Sequence, residues 1–246
     1  MFIKKVIRFI FQNKLAFVSK HFFSSSGFRI ANKGMQLTSA FNQKAVYRQQ
    51  KAWETLVKTK NIESRFDVKN LRNMISRNLS SVDSILEVGC ASGYNKSIFF
   101  QDFQVYFGLD ISRDALLLGK QNYSGVPFLQ ASSNALPFKD NSIDVVLDGA
   151  SLIHIQDWKK SINEYFRISK KFIVLHSITL SSVRSYNFTK FAYGQRITEQ
   201  IFLESELNSY LDLFDYDEII KLKNGGYNLV DLVGIETNSY TWLIRL

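Results

Sequence analysis

The chain has 246 residues, of which 46% are hydrophobic, 22% charged and 14% aromatic, a balance that supports a packed core and excludes a disordered tail. Twelve Gly and two Pro exclude collagen-like and Pro-rich chains, and a single Cys excludes an internal disulfide framework and a cysteine-cluster zinc site; no metal is expected. The net charge of +9 is an N-terminal property: ten of the 31 basic residues and no acidic residue fall in 1–53, so the remainder is close to neutral and nucleic acid is not the expected partner.

Taken in chain order, the first stretch places apolar Ile3, Val6, Ile7, Ile10, Phe11, Leu15, Val18 and Phe22 at helical spacing, with Lys4, Lys5, Arg8 and Lys14 largely off the stripe. This predicts a basic amphipathic helix. Three fates suit it: packing on its own domain, contact of residues 1–23 with an anionic membrane surface, or removal as an organelle-targeting peptide. No run approaches the ~18 apolar residues of a membrane span, so the expected location is cytoplasmic, peripheral to a membrane if the second fate holds. Residues 24–34 read as a linker. Helices are expected from Phe41 to Lys58, with Trp53 and Leu56 on one side, and from Val68 to Leu79. The chain thus divides into a basic segment and linker (1–34), a helical extension that covers the active-site edge (35–80) and a main domain (81–246).

The main domain opens with a short apolar strand, Ile85–Val88, followed by Gly89-Cys90-Ala91-Ser92-Gly93 and a helix from about Asn95. A tight turn of small residues between strand and helix lets a ligand approach the backbone. The next strand, Val105–Leu109, ends at Asp110, 23 residues after Glu87, near the spacing at which a carboxylate meets the hydroxyls of a ribose. Further strands are expected at Val126–Gln130, Ile143–Leu147 and Lys171–His176, with a helix from Asp157 to Ile168 between the last two. This alternation predicts a parallel sheet with helices on both faces. Phe214–Lys223 reads as a helix stopped at Gly225-Gly226, and Leu229–Val233 and Tyr240–Leu246 read as two closing strands.

Three blocks, Ile85-Leu-Glu-Val-Gly-Cys-Ala-Ser-Gly93, Gly108-Leu-Asp-Ile-Ser112 and Ala135-Leu-Pro-Phe-Lys-Asp-Asn-Ser-Ile-Asp-Val-Val146, with a weaker fourth at Leu152–Asp157, resemble the class I S-adenosylmethionine-dependent methyltransferases of the small-molecule type. The resemblance covers about residues 82–178. It implies a Rossmann-like, doubly wound, seven-stranded sheet of order 3-2-1-4-5-7-6 with strand 7 antiparallel. It implies S-adenosyl-L-methionine as cofactor and an O or N atom of a small molecule, glycan or lipid-linked intermediate as methyl acceptor. It also implies the cofactor residues. Glu87, Gly89, Cys90, Ala91 and Gly93 would face the methionine moiety, Asp110 the ribose and Ile111 the adenine; Ser132 and Ser133 would border the adenine edge, and Asp148 would lie between cofactor and acceptor. Three departures mark the chain: Ala91 for the usual middle Gly, Ser132 where an Asp often stands, with Asn134 as an alternative contact, and Lys170-Lys171 where a Gly pair often precedes the fifth strand.

His154 and His176 follow the fourth and fifth strands, where the sheet presents ligands, and either could serve as a general base; each could equally shape the pocket. Cys90 needs only to be small. The segment 178–198 interleaves aromatic and basic residues, and Arg184, Tyr186, Tyr193 and Arg196 are the candidate acceptor contacts, against a plain helix-and-loop cover. Residues 199–218 carry seven acidic and no basic residues, which argues against a nucleic-acid track there. The rival readings are an RNA or protein methyltransferase tethered by the basic arm, a nicotinamide-dependent oxidoreductase and a non-catalytic binding module of the same fold.

Overall fold

The computed structural model describes residues 29–30, 42–58, 65–79, 82–100, 104–225 and 237–246. The expected N-terminal helix, the strand at Leu229–Val233 and most of the 24–34 linker lie outside them.

The elements, in order, are β1 (Arg29–Ile30), α1 (Gln43–Lys58), α2 (Phe66–Asn78), β2 (Ser84–Val88), α3 (Tyr94–Phe99), β3 (Val105–Asp110), α4 (Arg113–Asn122), β4 (Phe128–Gln130), β5 (Ile143–Gly149), α5 (Trp158–Ile168), β6 (Ser169–Ser181), β7 (Tyr186–Ala192), β8 (Gln195–Leu203), α6 (Glu204–Leu211), β9 (Glu218–Gly225) and β10 (Thr237–Arg245). A short 3-10 turn, Leu152–His154, follows β5.

The central sheet runs β4-β3-β2-β5-β6-β10-β9. The strands from β4 to β6 are parallel, and β10 is antiparallel to both β6 and β9. This is the order 3-2-1-4-5-7-6 with the seventh strand reversed. Its two faces are apolar because the side chains of a buried parallel strand alternate between two covered layers. Ile85, Val145, Val174 and Leu243 meet Leu71 and Met74 of α2 on one face. Leu86, Val146, Ile173 and Ile244 meet Ile162 and Tyr165 of α5 on the other. Each such side chain, fully withdrawn from water, is worth about 1.5–3 kcal/mol of transfer free energy.

Three elements differ from the expectation. The segment read as helix from Phe214 to Lys223 contains strand β9. Ile220 and Leu222 pack toward α2 while Ile219 joins the opposite layer, so both faces carry apolar residues and the period-two pattern is blurred. The fifth parallel strand does not end at His176 but runs to Ser181, its last two residues pairing with Phe202 and Leu203 of β8. The segment 178–198 is no helix-and-loop cover: β7 and β8 form an antiparallel hairpin with β1 on its outer edge.

Candidate active site

The carboxyl ends of β2 and β3, the turn after β5 and Phe128 at the start of β4 meet at the loop Gly89–Gly93. Gly89 and Gly93 hold φ of 70° and 76°, in the left-handed region. Both are also sterically required: a Cβ on Gly89 would stand 2.2 Å from Cβ of Ser151, and one on Gly93 would stand 2.7 Å from the ring of Phe128. The loop is thus pressed between the turn after β5 and the start of β4. Ala91 takes φ of 49° with a side chain, a conformation that costs an L residue about 1–2 kcal/mol. The backbone N–H of Ala91 offsets that strain by donating to Oδ2 of Asp110 at 2.9 Å.

Asp110 closes the arrangement from β3. Its Oδ1 accepts from the N–H of Ser112 at 2.7 Å, so both carboxylate oxygens are oriented by backbone donors at the sheet edge. Burial pushes its carboxyl above the usual range, against the pull of the bonds from Ser112 and Ala91. The next residue, Ile111, keeps 46% of its surface exposed. A half-exposed aliphatic side chain beside an oriented carboxylate suits a nucleoside: the carboxylate can accept from the ribose hydroxyls and the aliphatic side chain can cover the base.

The other expected cofactor residues lie less directly on the surface. Glu87 is buried beneath the loop; its Oε1 accepts from Asn95 Nδ2 at 2.6 Å and its Oε2 accepts from the Tyr106 hydroxyl. Burial raises its carboxyl to about 8. Cys90 turns inward against Leu116 and Phe128, and burial pushes its thiol well up, which leaves it a packing residue. Ser132 is exposed at the end of β4; its hydroxyl accepts from the Asn134 N–H at 3.2 Å and its carbonyl from the Ala135 N–H at 3.1 Å. Ser133 and Asn134 both reach Ser161 of α5, at 2.8 and 2.6 Å, so the Asn134 carbonyl is engaged with the protein.

Asp148 is fully buried at the end of β5, where the segment Asp148-Gly149-Ala150 expected between cofactor and acceptor begins. Oδ1 accepts from the N–H groups of Ser151 and Leu152 at 2.8 and 2.9 Å, and Oδ2 accepts from Ser151 Oγ and Tyr165 Oη at 2.6 and 2.7 Å. Four donors on one carboxylate shape the turn after β5 from within. Burial raises its carboxyl even so.

The two histidines separate. His154 ends the 3-10 turn, largely buried, with Nε2 3.6 Å from Oε1 of Glu199 on β8. His176 lies inside β6, its Nδ1 2.8 Å from Thr241 Oγ1 and its Nε2 3.2 Å from Ser177 Oγ. Burial lowers its imidazole to about 4, although Asp67 pulls the other way. His176 is therefore neutral at physiological pH, with a hydroxyl beside each ring nitrogen inside the sheet.

The four candidate acceptor residues do not form one cluster. Arg184 stacks over the Tyr186 ring at 4.6 Å at one end of the β7–β8 hairpin. Tyr193 lies in its turn, with Arg196 just beyond and 3.4 Å from Thr189 Oγ1. At ~3.3 Å per residue the length of β7 keeps the two pairs about 20 Å apart. The hairpin turn is the end that meets α1: Asn42 donates to Gln195 Oε1 at 2.6 Å, and the Arg48 guanidinium occupies the space where Gly194 has no side chain.

Gln50, in the middle of α1, is buried and accepts from the Ser92 hydroxyl, so α1 bridges the Gly89–Gly93 loop and the hairpin turn. Gln50, Tyr165 and Glu199 were not singled out by the sequence. Only Gln50 had a signal, as a polar residue on a helix expected to cover the site. Among the described residues no group of three or more His, Cys, Asp or Glu could hold a metal.

Residues 86–172 match the family model described as methyltransferase domain. The malonyl-[acyl-carrier protein] O-methyltransferase of Buchnera aphidicola subsp. Baizongia pistaciae is 30% identical over 106 residues, 42% of this chain and 43% of that protein. A demethylmenaquinone methyltransferase of Renibacterium salmoninarum is 29% identical over 86 residues, 35% of this chain and 36% of that one. The matches therefore span less than half the length of these two curated relatives. In structure, the Burkholderia thailandensis 1,6-didemethyltoxoflavin-N1-methyltransferase, solved with its namesake substrate and S-adenosylhomocysteine, superposes with a TM-score of 0.57 at 14% identity, over 88% of this chain and 94% of that one. That likeness is one of fold.

Proposed function

We propose that the chain is a class I S-adenosylmethionine-dependent methyltransferase and that it transfers a methyl group to an O or N atom of a small acceptor: a free small molecule, a glycan or a lipid-linked intermediate. The observation that carries this reading is the contact between Ala91 N–H and Asp110, which joins the small-residue loop of β2 to the acidic end of β3 beside exposed Ile111. Those three features fit a ribonucleoside with an extended amino-acid arm, and the loop reads Gly-Cys-Ala-Ser-Gly where a pyrophosphate turn has the pattern G-x-G-x-x-G.

Bound there, S-adenosylmethionine supplies a methyl group already activated on a sulfonium. The work left to the chain is alignment and exclusion of water. Asp110 would hold the ribose and Ile111 the adenine, and the Gly89–Gly93 backbone would receive the methionine arm. The buried Asp148 keeps the turn after β5 in place, so that His154 is carried on a rigid support and can take a proton from the acceptor. The α1 helix, fixed at Ser92 and at the hairpin turn, covers the space between them. Acid-free residues 1–53 would bring the enzyme to an anionic membrane surface, which suits a lipid-linked acceptor.

Calorimetric titration tests the reading. The wild-type chain is expected to bind S-adenosylmethionine at micromolar affinity and NADH not at all. Asp110→Ala is expected to lose roughly 10- to 100-fold in affinity, the worth of charge-assisted hydrogen bonds of about 1.5–3 kcal/mol. A folded wild-type protein that ignores the sulfonium compound would overturn the assignment.

A further inference from the structure

Helix α1 has one face that the site uses and one that it does not. Ala45, Val46 and Gln50 are buried, and Gln50 is the residue that holds Ser92 of the Gly89–Gly93 loop. At ~3.6 residues per turn the opposite side carries Lys44, Tyr47, Arg48, Lys51 and Thr55, all exposed. The spacing i, i+4, i+7 sets three cations in one row, with Tyr47, 60% exposed, beside it. The Arg48 guanidinium lies over Gly194, so the row begins at the hairpin turn and runs along the helix. Among the described residues no carboxylate comes within ion-pair distance of Lys44, Arg48 or Lys51. Glu54, the one acidic residue of the helix, lies on the flank and accepts from Gln50 Nε2 at 3.0 Å. A solvated helix face usually mixes the two signs; a row of one sign is complementary to an anionic surface.

Position says which surface. Strand β1 is antiparallel to β7, with Arg29 opposite Thr189 and Ile30 opposite Phe188, so the chain reaches Arg29 from the side of the hairpin turn. That is the end where Asn42, just ahead of α1, meets Gln195. The acid-free residues 1–28, with apolar residues at helical spacing, therefore join the domain beside the start of the basic row. A phenol ring among cations, next to a sequence with an apolar stripe, fits lipid headgroups and the acyl chains under them. RNA or an acidic protein would meet the charge and leave the apolar stripe unused. We propose that the outer face of α1, formed by Lys44, Tyr47, Arg48 and Lys51, docks on an anionic bilayer surface, so that the helix covering the Gly89–Gly93 loop lies between that loop and the lipid. The inference adds a partner and an orientation to the methyltransferase reading and does not depend on it.

The test uses the full chain and vesicles of phosphatidylglycerol and phosphatidylcholine in equal parts, with pure phosphatidylcholine as reference. The chain has one cysteine, Cys90, which is buried, so Tyr47→Cys takes a single environment-sensitive thiol fluorophore at the proposed face. Lys139→Cys takes one at the opposite edge of the sheet, ahead of β5. On the anionic vesicles the probe at position 47 is expected to brighten and shift to the blue, and the probe at 139 is expected to stay as in water. Lys44→Gln combined with Lys51→Gln is expected to weaken co-sedimentation roughly 30-fold, the weight of two lysines at a charged bilayer surface. Lys139→Gln combined with Lys170→Gln, at the starts of β5 and β6, is expected to weaken it less than about threefold. All four lysines are exposed, and circular dichroism checks that each variant is folded. Vesicle binding with a silent probe at 47, or equal losses in the two double variants, overturns the docking face. So does a wild type that ignores the anionic vesicles, or that prefers polyuridylate RNA to them at the same salt. S-adenosylhomocysteine binding, measured apart from lipid, bears on the methyltransferase reading alone, so the two failures are told apart.

Discussion

Glu87 is a carboxyl group enclosed by protein, bonded to the Asn95 amide and the Tyr106 hydroxyl, with the carboxyls of Asp110 and Asp148 near enough to oppose its ionisation. Its folded value of about 8 lies above the ordinary 4.5, so between those two values the folded state holds a proton that the unfolded chain has released. Stability contributed by this proton is complete at low pH and is lost as pH rises through about 8. His176 works in the opposite sense, but only below its ordinary value, since its imidazole is neutral in both states above about 6.5. Urea unfolding between pH 6.5 and 8 should therefore show wild-type stability falling with pH, with up to ~1.4 kcal/mol per unit from Glu87 alone. Glu87→Gln keeps the shape, since its carbonyl can accept from Asn95 and its amide can donate to Tyr106, and its slope over the same window should be shallower. Equal slopes would mean that Glu87 is ionised in the fold.

Among the elements, α1 carries the most consequence for its length. Its N-terminus is capped by Asn42, whose Oδ1 accepts from Ala45 N–H at 2.9 Å, and its middle residue Gln50 accepts from Ser92 of the cofactor loop. Gln50→Ala takes away the acceptor of a buried hydroxyl, and a loss of about 1–3 kcal/mol in urea unfolding is expected. S-adenosylmethionine binding should weaken with it, because Ser92 lies between Ala91 and Gly93. A variant that binds the cofactor as the wild type does would reduce α1 to packing. The order of the elements was readable in the sequence because strands β2 to β6 are short apolar runs separated by turn residues and amphipathic helices. Strand β9 was not readable, because α2 covers one of its faces and the α5 layer the other, and the resulting spacing of Phe214, Ile219, Ile220 and Leu222 imitates a helix. In the site, Gly89, Gly93 and Asp110 were legible because a turn and a sheet edge demand particular residue types. Asp148 was legible from its place at the end of a strand, while its four donors were not, since they come from a turn and a distant helix. Glu199 was invisible, because its meeting with His154 depends on a hairpin register that local sequence does not specify.

For the molecule as a whole, charge is distributed in a way that the described fold does not absorb. No helix among the described residues is long and apolar enough to cross a membrane. The acid-free residues 1–53 are proposed to act at an anionic surface. The full chain should co-sediment with vesicles containing anionic phospholipid and not with pure phosphatidylcholine vesicles, and raising salt from roughly 50 to 500 mM should release it as the Debye length shortens. Binding that is equal on both vesicles, or indifferent to salt, would remove the membrane from the proposal.

Strand β6 is the beam on which both halves of this architecture hang. Its length along β5 and β10 belongs to the central sheet, and the β7–β8 hairpin joins it through two residue pairs only, Leu180–Phe202 and Ser181–Leu203. The rest of the attachment is made by side chains: Gln200 holds the turn after β5, Gln195 meets Asn42, and Phe202 packs edge-on against Trp158. The pairings of β6 with β5 and β10 do not depend on the hairpin, so under the proposed function the donor's frame resides in the central sheet, and what selects the acceptor is expected in the insertion at the end of one strand.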